Sequence, residues 1–338
     1  MKACRRGTIT LLIAAMAAAT GCSSSDSPRE VWLDAIATTS KADSYTYSGS
    51  FTIHDIRLPQ PAGDLSNRDA ALIMALPILL KGAVIQVHGA VQKDPQRAEL
   101  LLDATLGTGD VKLSMKLPIL VTEDKIYMKV PQIPGVAVPA AVADRFIVID
   151  AKKLAEEQGG GNVLDGEAPE LVKGALTSFF GGLDDTYYSE PAAADVKNLP
   201  TGYEADRYVR VKTDESHSDA LLKVIAENAI PKVVDLLLGN EAYMKSFGLT
   251  KEKLQASKNE LSAAKLQEQY TIKALELTGG IKDDYVTFEA GKLQLDTGDA
   301  NGMQVDIQFM LSQDAFNKKV SFEVELPKDA VPAEQWLP

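Results

Sequence analysis

The chain has 338 residues, with 35 Lys and Arg against 47 Asp and Glu, and a formal net charge of −12. A chain this acidic offers no stripe of basic residues that could displace counterions from a nucleic acid, so we expect no nucleic-acid partner. The three histidines, His54, His88 and His217, are far apart in the sequence, and we predict no zinc or other metal site.

Residues 1–21 have the pattern of a secretory signal peptide. Three basic residues stand within the first six, an uncharged apolar stretch follows, and the small residues Ala19-Thr20-Gly21 precede Cys22. The apolar stretch is shorter than the ~20 residues that a membrane-spanning helix needs. We therefore predict cleavage before Cys22, which also removes Cys4 and leaves no cysteine pair for a disulfide.

The segment that ends in Ala19-Thr20-Gly21-Cys22 resembles the lipobox of bacterial lipoproteins. The resemblance implies that Cys22 carries a diacylglycerol and holds the protein on the extracytoplasmic face of the cell membrane. Two acyl chains give stable anchoring, and an acidic domain gains nothing from anionic head groups. Residues 22–28 would then be a lipidated tether and residues 29–338 a single folded domain. The alternative is an ordinary secreted protein in which Cys22 is incidental.

Hydrophobic periodicity predicts an α+β domain. A first helix begins at Pro28 or Arg29 and ends near Ala42. Further helices are predicted at 151–158, 168–183, 219–238 (with a kink near Ala229) and 250–265. Alternating segments predict strands at 44–56, 82–92, 97–106, 110–122, 125–130, 145–150, 203–211, 268–277, 285–289, 292–296, 303–311 and 319–325. Most strands lie near the two ends of the chain with helices between them, an order that favours one large curved antiparallel sheet, a half-barrel, with helices packed on its concave face.

The most apolar segment is 67–87, in which Leu72, Leu76 and Leu79 belong to an almost continuous run. A helix that is apolar all round must be buried all round or face something apolar. The segment is thus a core helix within a curved sheet, a mobile flap over an apolar cavity, or a contact with the membrane surface. If a cavity exists, the candidate ligand-binding residues are Leu72, Leu76, Leu79, Leu176 and Phe180.

The order of elements behind the lipobox is similar to that of the half-barrel lipoprotein superfamily, with residues 41–53 (KADSYTYSGSFTI) as the nearest thing to a motif. Its members include the LolA and LolB lipoprotein carriers and the mycobacterial LppX and LprG lipoproteins. The resemblance implies a curved sheet around an apolar cavity that takes acyl chains.

No Gly-x-Ser-x-Gly precedes a predicted helix and no phosphate-binding glycine loop follows a predicted strand, so we expect neither an enzyme nor a cofactor. We predict a lipoprotein that binds a lipid or another amphiphile. The alternative is a non-enzymatic interaction or sensor module of the cell envelope with a filled core.

Overall fold

A computed structural model of the chain describes residues 26–58, 77–107, 112–132, 139, 141–153, 167–239, 244, 249–298 and 302–335. The predicted signal peptide, Cys22, Leu72 and Leu76 lie outside the described residues. Within the described part, no helix is long and apolar enough to cross a membrane.

The described strands form one open, curved sheet. They are β1 Ser44–Arg57, β2 Ala83–Gln92, β3 Arg97–Leu106, β4 Leu113–Thr122, β5 Lys125–Lys129, β6 Phe146–Asp150, β7 Tyr188–Ser189, β8 Arg207–Asp214, β9 Thr271–Lys282, β10 Tyr285–Asp296, β11 Gln304–Asp314 and β12 Val331–Pro332. Their spatial order is β12-β6-β5-β4-β3-β2-β1-β11-β10-β9-β8-β7. Two antiparallel meanders, β1–β6 and β7–β11, are therefore joined where β1 pairs with β11. Among the pairs in this order, only the short β12–β6 contact is parallel.

The helices come mainly from the middle of the chain. They are α1 Pro28–Thr39, α2 Glu167–Gly181, α3 Ser218–Val224, α4 Ile230–Leu238, α5 Lys251–Glu260 and α6 Ala263–Gln269, with single helical turns at 77–80 and 151–153. Ser27 caps α1, since its hydroxyl accepts a hydrogen bond from the Glu30 N–H and the Glu30 carboxylate accepts one from the Ser27 N–H. A π-helical segment, Ile225–Ala229, separates α3 from α4 at the kink that Pro231 predicts.

The main core lies between the helices and one face of β8–β10. Trp32 of α1 is 1% exposed, and it packs with Phe180 of α2, Leu221 of α3, and Val209 and Leu277 of the sheet. Burial of side chains of this size contributes roughly 1.5–3 kcal/mol each, which makes this cluster a main source of stability. The predicted fold class, an α+β domain built on one large curved sheet with helices packed against it, is confirmed.

In two places the structure divides or joins elements differently from the sequence prediction. Residues 250–265 do not form one helix, because the chain leaves the helical conformation after Glu260 and starts α6 at Ala263 with Ser262 as the preceding residue. The segments 285–289 and 292–296 form a single strand, β10.

The predicted strand at 319–325 is wrong. Residues 315–330, which we call the crossing segment, pass from β11 over the sheet to β12 beside β6. The N–H groups of Glu323 and Val324 donate to the carboxylate of Glu99 on β3 at 2.9 and 2.8 Å. Because both edges of β11 are already paired, with β1 and β10, an alternating segment that follows it has no adjacent strand to join.

Candidate functional site

Cross-strand pairing shows which side chains share a face of the sheet, because directly opposite residues point to the same side. A Cβ added to Gly279 would meet the ring of Trp32, so Gly279 lies on the side that α1 covers. We call this side the inner face. Gly279 is opposite Glu289, Glu289 is opposite Leu311, and Leu311 is opposite Gly49, which extends the inner face from β9 into β1.

On strands β1 to β5, the inner face is apolar. The same pairing continues through β2, β3, β4 and β5 and places alternate residues of each strand on this side. The larger members include Tyr45, Tyr47, Phe51, Ile53, Ile85, Val87, Val91, Leu100, Leu102, Leu106, Leu113, Met115, Leu117, Ile119, Val121, Ile126 and Met128. None of these side chains carries a charge, so the inner face of β1–β5 is a continuous apolar surface.

The opposite side, the outer face, is mostly polar over the same strands, although Leu101 and Leu120 also point to it. Ser48 and Ser50 of β1 and Gln86 of β2 point to it, and Asp103 of β3 forms an ion pair with Lys116 of β4 at 3.5 Å. This contrast is typical of a sheet with one solvated side and one side turned towards apolar material.

The helices cover the inner face unevenly. Against β8–β10 they form the buried core, whereas inner-face residues of β1–β5 such as Phe51, Leu100, Leu102 and Leu117 are only half-buried. Helical segments on this protein also expose large apolar side chains. Ile78 is 72% and Val172 57% exposed, two of the largest values for apolar residues in the described part. A large apolar surface that remains partly accessible is typical of a binding site.

The three described candidate residues lie in different surroundings. Leu79 is 41% exposed, and its carbonyl accepts a hydrogen bond from the Gly107 N–H at 2.9 Å, which places the turn 77–80 at the end of β3. Leu176 on α2 is 42% exposed. One turn later, Phe180 is 7% exposed and packs edge-on against Trp32 at 5.8 Å, so it belongs to the helix core. The structure brings Leu176 and Phe180 onto one helix and places Leu79 on a separate element.

Sequence reasoning missed one inner-face residue, Glu289 on β10. It is opposite both Gly279 and Leu311, and it is half-buried. Burial raises the pKa of the Glu289 carboxyl to about 7, because the charged form loses hydration that no neighbouring cation replaces. The signal was present in the sequence: Glu289 is in phase with Gly291 and Leu293, at an inward position of an alternating strand.

A contact between Ser216, His217 and Asp214 has the composition of a catalytic triad but not its geometry. Ser216 Oγ and Asp214 Oδ1 both approach the same histidine atom, Nδ1, at 3.0 and 3.1 Å. A relay needs the nucleophile on one ring nitrogen and the carboxylate on the other. The Asp214 carboxylate also accepts from the Ser216 N–H, so the group caps a short 3-10 turn. In the part of the chain that the structure describes, no group of three or more His, Cys, Asp or Glu could hold a metal ion.

The outer face carries a separate open cleft of about 740 Å³. Its lining includes Ser48, Gln86, His88, Tyr203 and Thr287, and it is therefore more polar than the inner face. Glu323 of the crossing segment lies beside it, with its carboxylate 3.5 Å from His88 Nε2.

Neither a protein-family model nor a curated protein sequence matches this chain. Among solved structures, a bifunctional dehydratase-cyclase domain in ambruticin biosynthesis is similar at 9% identity with a TM-score of 0.12, over 85% of this chain and 80% of that chain. The dehydratase domain from the terminal module of the rifamycin polyketide synthase is similar at 10% identity with a TM-score of 0.13, over 85% and 81%. Similarities this low carry no information about the activity of this chain.

Proposed function

We propose that this protein is a membrane-anchored, extracytoplasmic lipoprotein that binds a lipid or another amphiphile on the inner face of its sheet. The observation that supports the proposal is the apolar inner face of β1–β5, which runs across five strands and stays half-buried. Each methylene that leaves water for such a surface contributes ~0.8 kcal/mol, so an acyl chain is the ligand that this surface suits.

The predicted anchor supports the same proposal. If Cys22 carries acyl chains, residues 23–28 connect the bilayer to α1. Six residues reach at most ~20 Å, so the domain stays close to the membrane from which an amphiphile would come. The proposed role is binding without catalysis.

A matched pair of variants tests the ligand site. Leu101 and Leu102 are adjacent on β3 and both half-buried, but Leu102 is on the inner face and Leu101 on the outer face. In the full-length Cys22→Ser chain, titration with the neutral fluorescent probe N-phenyl-1-naphthylamine measures binding. We expect Leu102→Gln to weaken it about 5- to 30-fold, the equivalent of losing ~1–2 kcal/mol of apolar contact, and Leu101→Gln to change it less than about 2-fold.

The same experiment separates a binding surface from a filled core. In a filled core, Leu102→Gln buries an amide without partners and lowers the free energy of unfolding by ~1–3 kcal/mol. Absence of probe binding by the parent protein would overturn the proposal, and such a loss would then indicate a filled core. Leu79→Gln in the same assay reports whether the turn 77–80 contributes to the site. Mass spectrometry of the purified chain identifies any amphiphile that it retains.

A further inference from the structure

Glu289 is the single charged side chain among the described inner-face positions of β1–β5, β10 and β11. The other inner-face residues of these strands are apolar residues, glycines, two tyrosines and Gln313. A carboxyl at such a position is not required by the fold, since the neighbouring inward positions of β10 hold Gly291 and Leu293.

The position of Glu289 relates it to the proposed ligand surface. On one side its cross-strand neighbour is Gly279, which Trp32 of α1 covers. On the other side it is Leu311, whose next partner is Gly49 of β1. Glu289 therefore stands at the boundary where the helix-covered part of the inner face ends and the half-buried apolar surface begins.

The Glu289 carboxyl forms no hydrogen bond or ion pair within the described residues, and burial alone accounts for its raised pKa. Other carboxylates of the sheet have cations beside them. Glu276 on β9, for example, is on the outer face with its carboxylate 3.6 Å from the Arg210 guanidinium. A half-buried carboxyl without a partner either stays protonated or, when ionised, is stabilised by a cation or a hydrogen-bond donor from outside the chain.

We propose that Glu289 binds the polar end of the amphiphile, and that this end is a cationic amine rather than an acidic group. The inference rests on the proposed function, because it assigns the head group of the ligand whose chain would lie along β1–β5. An ammonium group would donate to the Glu289 carboxylate, whereas a fatty-acid carboxylate at the same place would repel it.

Two 12-carbon compounds with the same chain, dodecylamine and dodecanoate, test the assignment. Each is titrated at pH 7.5 against N-phenyl-1-naphthylamine bound to the full-length Cys22→Ser chain. We expect dodecylamine to displace the probe at a concentration at least about 10-fold lower than dodecanoate does. Glu289→Gln should remove most of this preference.

Glu276→Gln is the matched control, because it removes the same charge from a half-buried glutamate of the neighbouring strand on the outer face. We expect it to keep the preference, which excludes the net negative charge of the chain as the cause. If Glu289→Gln keeps the full preference, or if the parent prefers dodecanoate, the head-group assignment is wrong and the apolar site stands. If the parent binds no neutral probe, both proposals are overturned.

Discussion

The contact between Glu99 and the crossing segment gives a prediction whose magnitude follows from the structure. Glu99 is 1% exposed, and its two carboxylate oxygens accept the N–H groups of Glu323 and Val324 at 2.9 and 2.8 Å. In Glu99→Gln, the amide oxygen can accept one of these bonds, and the amide NH2 faces the other donor. A hydrogen bond to a charged group contributes ~1.5–3 kcal/mol and one to a neutral group ~1 kcal/mol.

The variant loses one hydrogen bond to a charged acceptor and keeps the other as a weaker bond to a neutral acceptor. The free energy of unfolding should therefore fall by about 3 kcal/mol. Urea unfolding followed by circular dichroism measures the loss. Hydrogen exchange of a peptide that spans residues 318–332 should also become faster, because this peptide contains the two N–H donors.

Asp103→Asn is the control for Glu99→Gln. Asp103 is on the same strand and on the same outer face, but its side chain is 40% exposed and its partner Lys116 is 83% exposed. An exposed ion pair of this kind contributes ~0–1 kcal/mol, so we expect little change. If Glu99→Gln unfolds within about 1 kcal/mol of the parent and its exchange is unchanged, the crossing segment does not depend on this carboxylate and our reasoning fails.

Three further outcomes are expected. The pKa of Glu289 in the folded protein is about 7, above its ordinary value. Its contribution to the free energy of unfolding is therefore fully present below pH ~4.5 and is lost as pH rises through 7, by up to ~3 kcal/mol. Glu289→Gln should flatten this dependence when the free energy of unfolding is measured against pH. A Cβ at Gly279 would overlap the ring of Trp32, so Gly279→Ala should lower the free energy of unfolding by ~1–3 kcal/mol, whereas Gly181→Ala, with nothing within 4 Å, should not lower it. Thermal unfolding of both variants measures the difference. Cys22→Ser should abolish incorporation of labelled fatty acid, and equal labelling of this variant would refute the anchor.

Local signals predicted the elements whose determinants are local. β3 has the bounds 97–106 that its alternation predicts, and α1 begins after Ser27 with Pro28 in its first turn, as a capping residue followed by proline indicates. The π-helical interruption between α3 and α4 also lies where a nearby residue, Pro231, predicts a kink or a break.

The misses depend on residues far apart in the sequence. Residues 319–325 alternate like a strand, but whether they pair depends on the edges of β11, which β1 and β10 occupy. Likewise, apolarity predicted Leu176 and Phe180 as equivalent candidates, and only the packing of α2 against Trp32 separates the exposed side chain from the buried one. The inner face could not be predicted from the sequence, because its continuity depends on which strands are neighbours in the sheet.

The pairing of β1 with β11, which we call the seam, determines when the sheet can be completed. Thr46 and Asp314 pair across it, although they are 268 positions apart in the chain. Contacts between such distant segments form slowly, because bringing the segments together costs the chain conformational entropy before the contact stabilises them. A growing chain that has reached only β10 therefore has two separate meanders and an unpaired edge on β1. The sheet therefore stays incomplete until most of the polypeptide has been made.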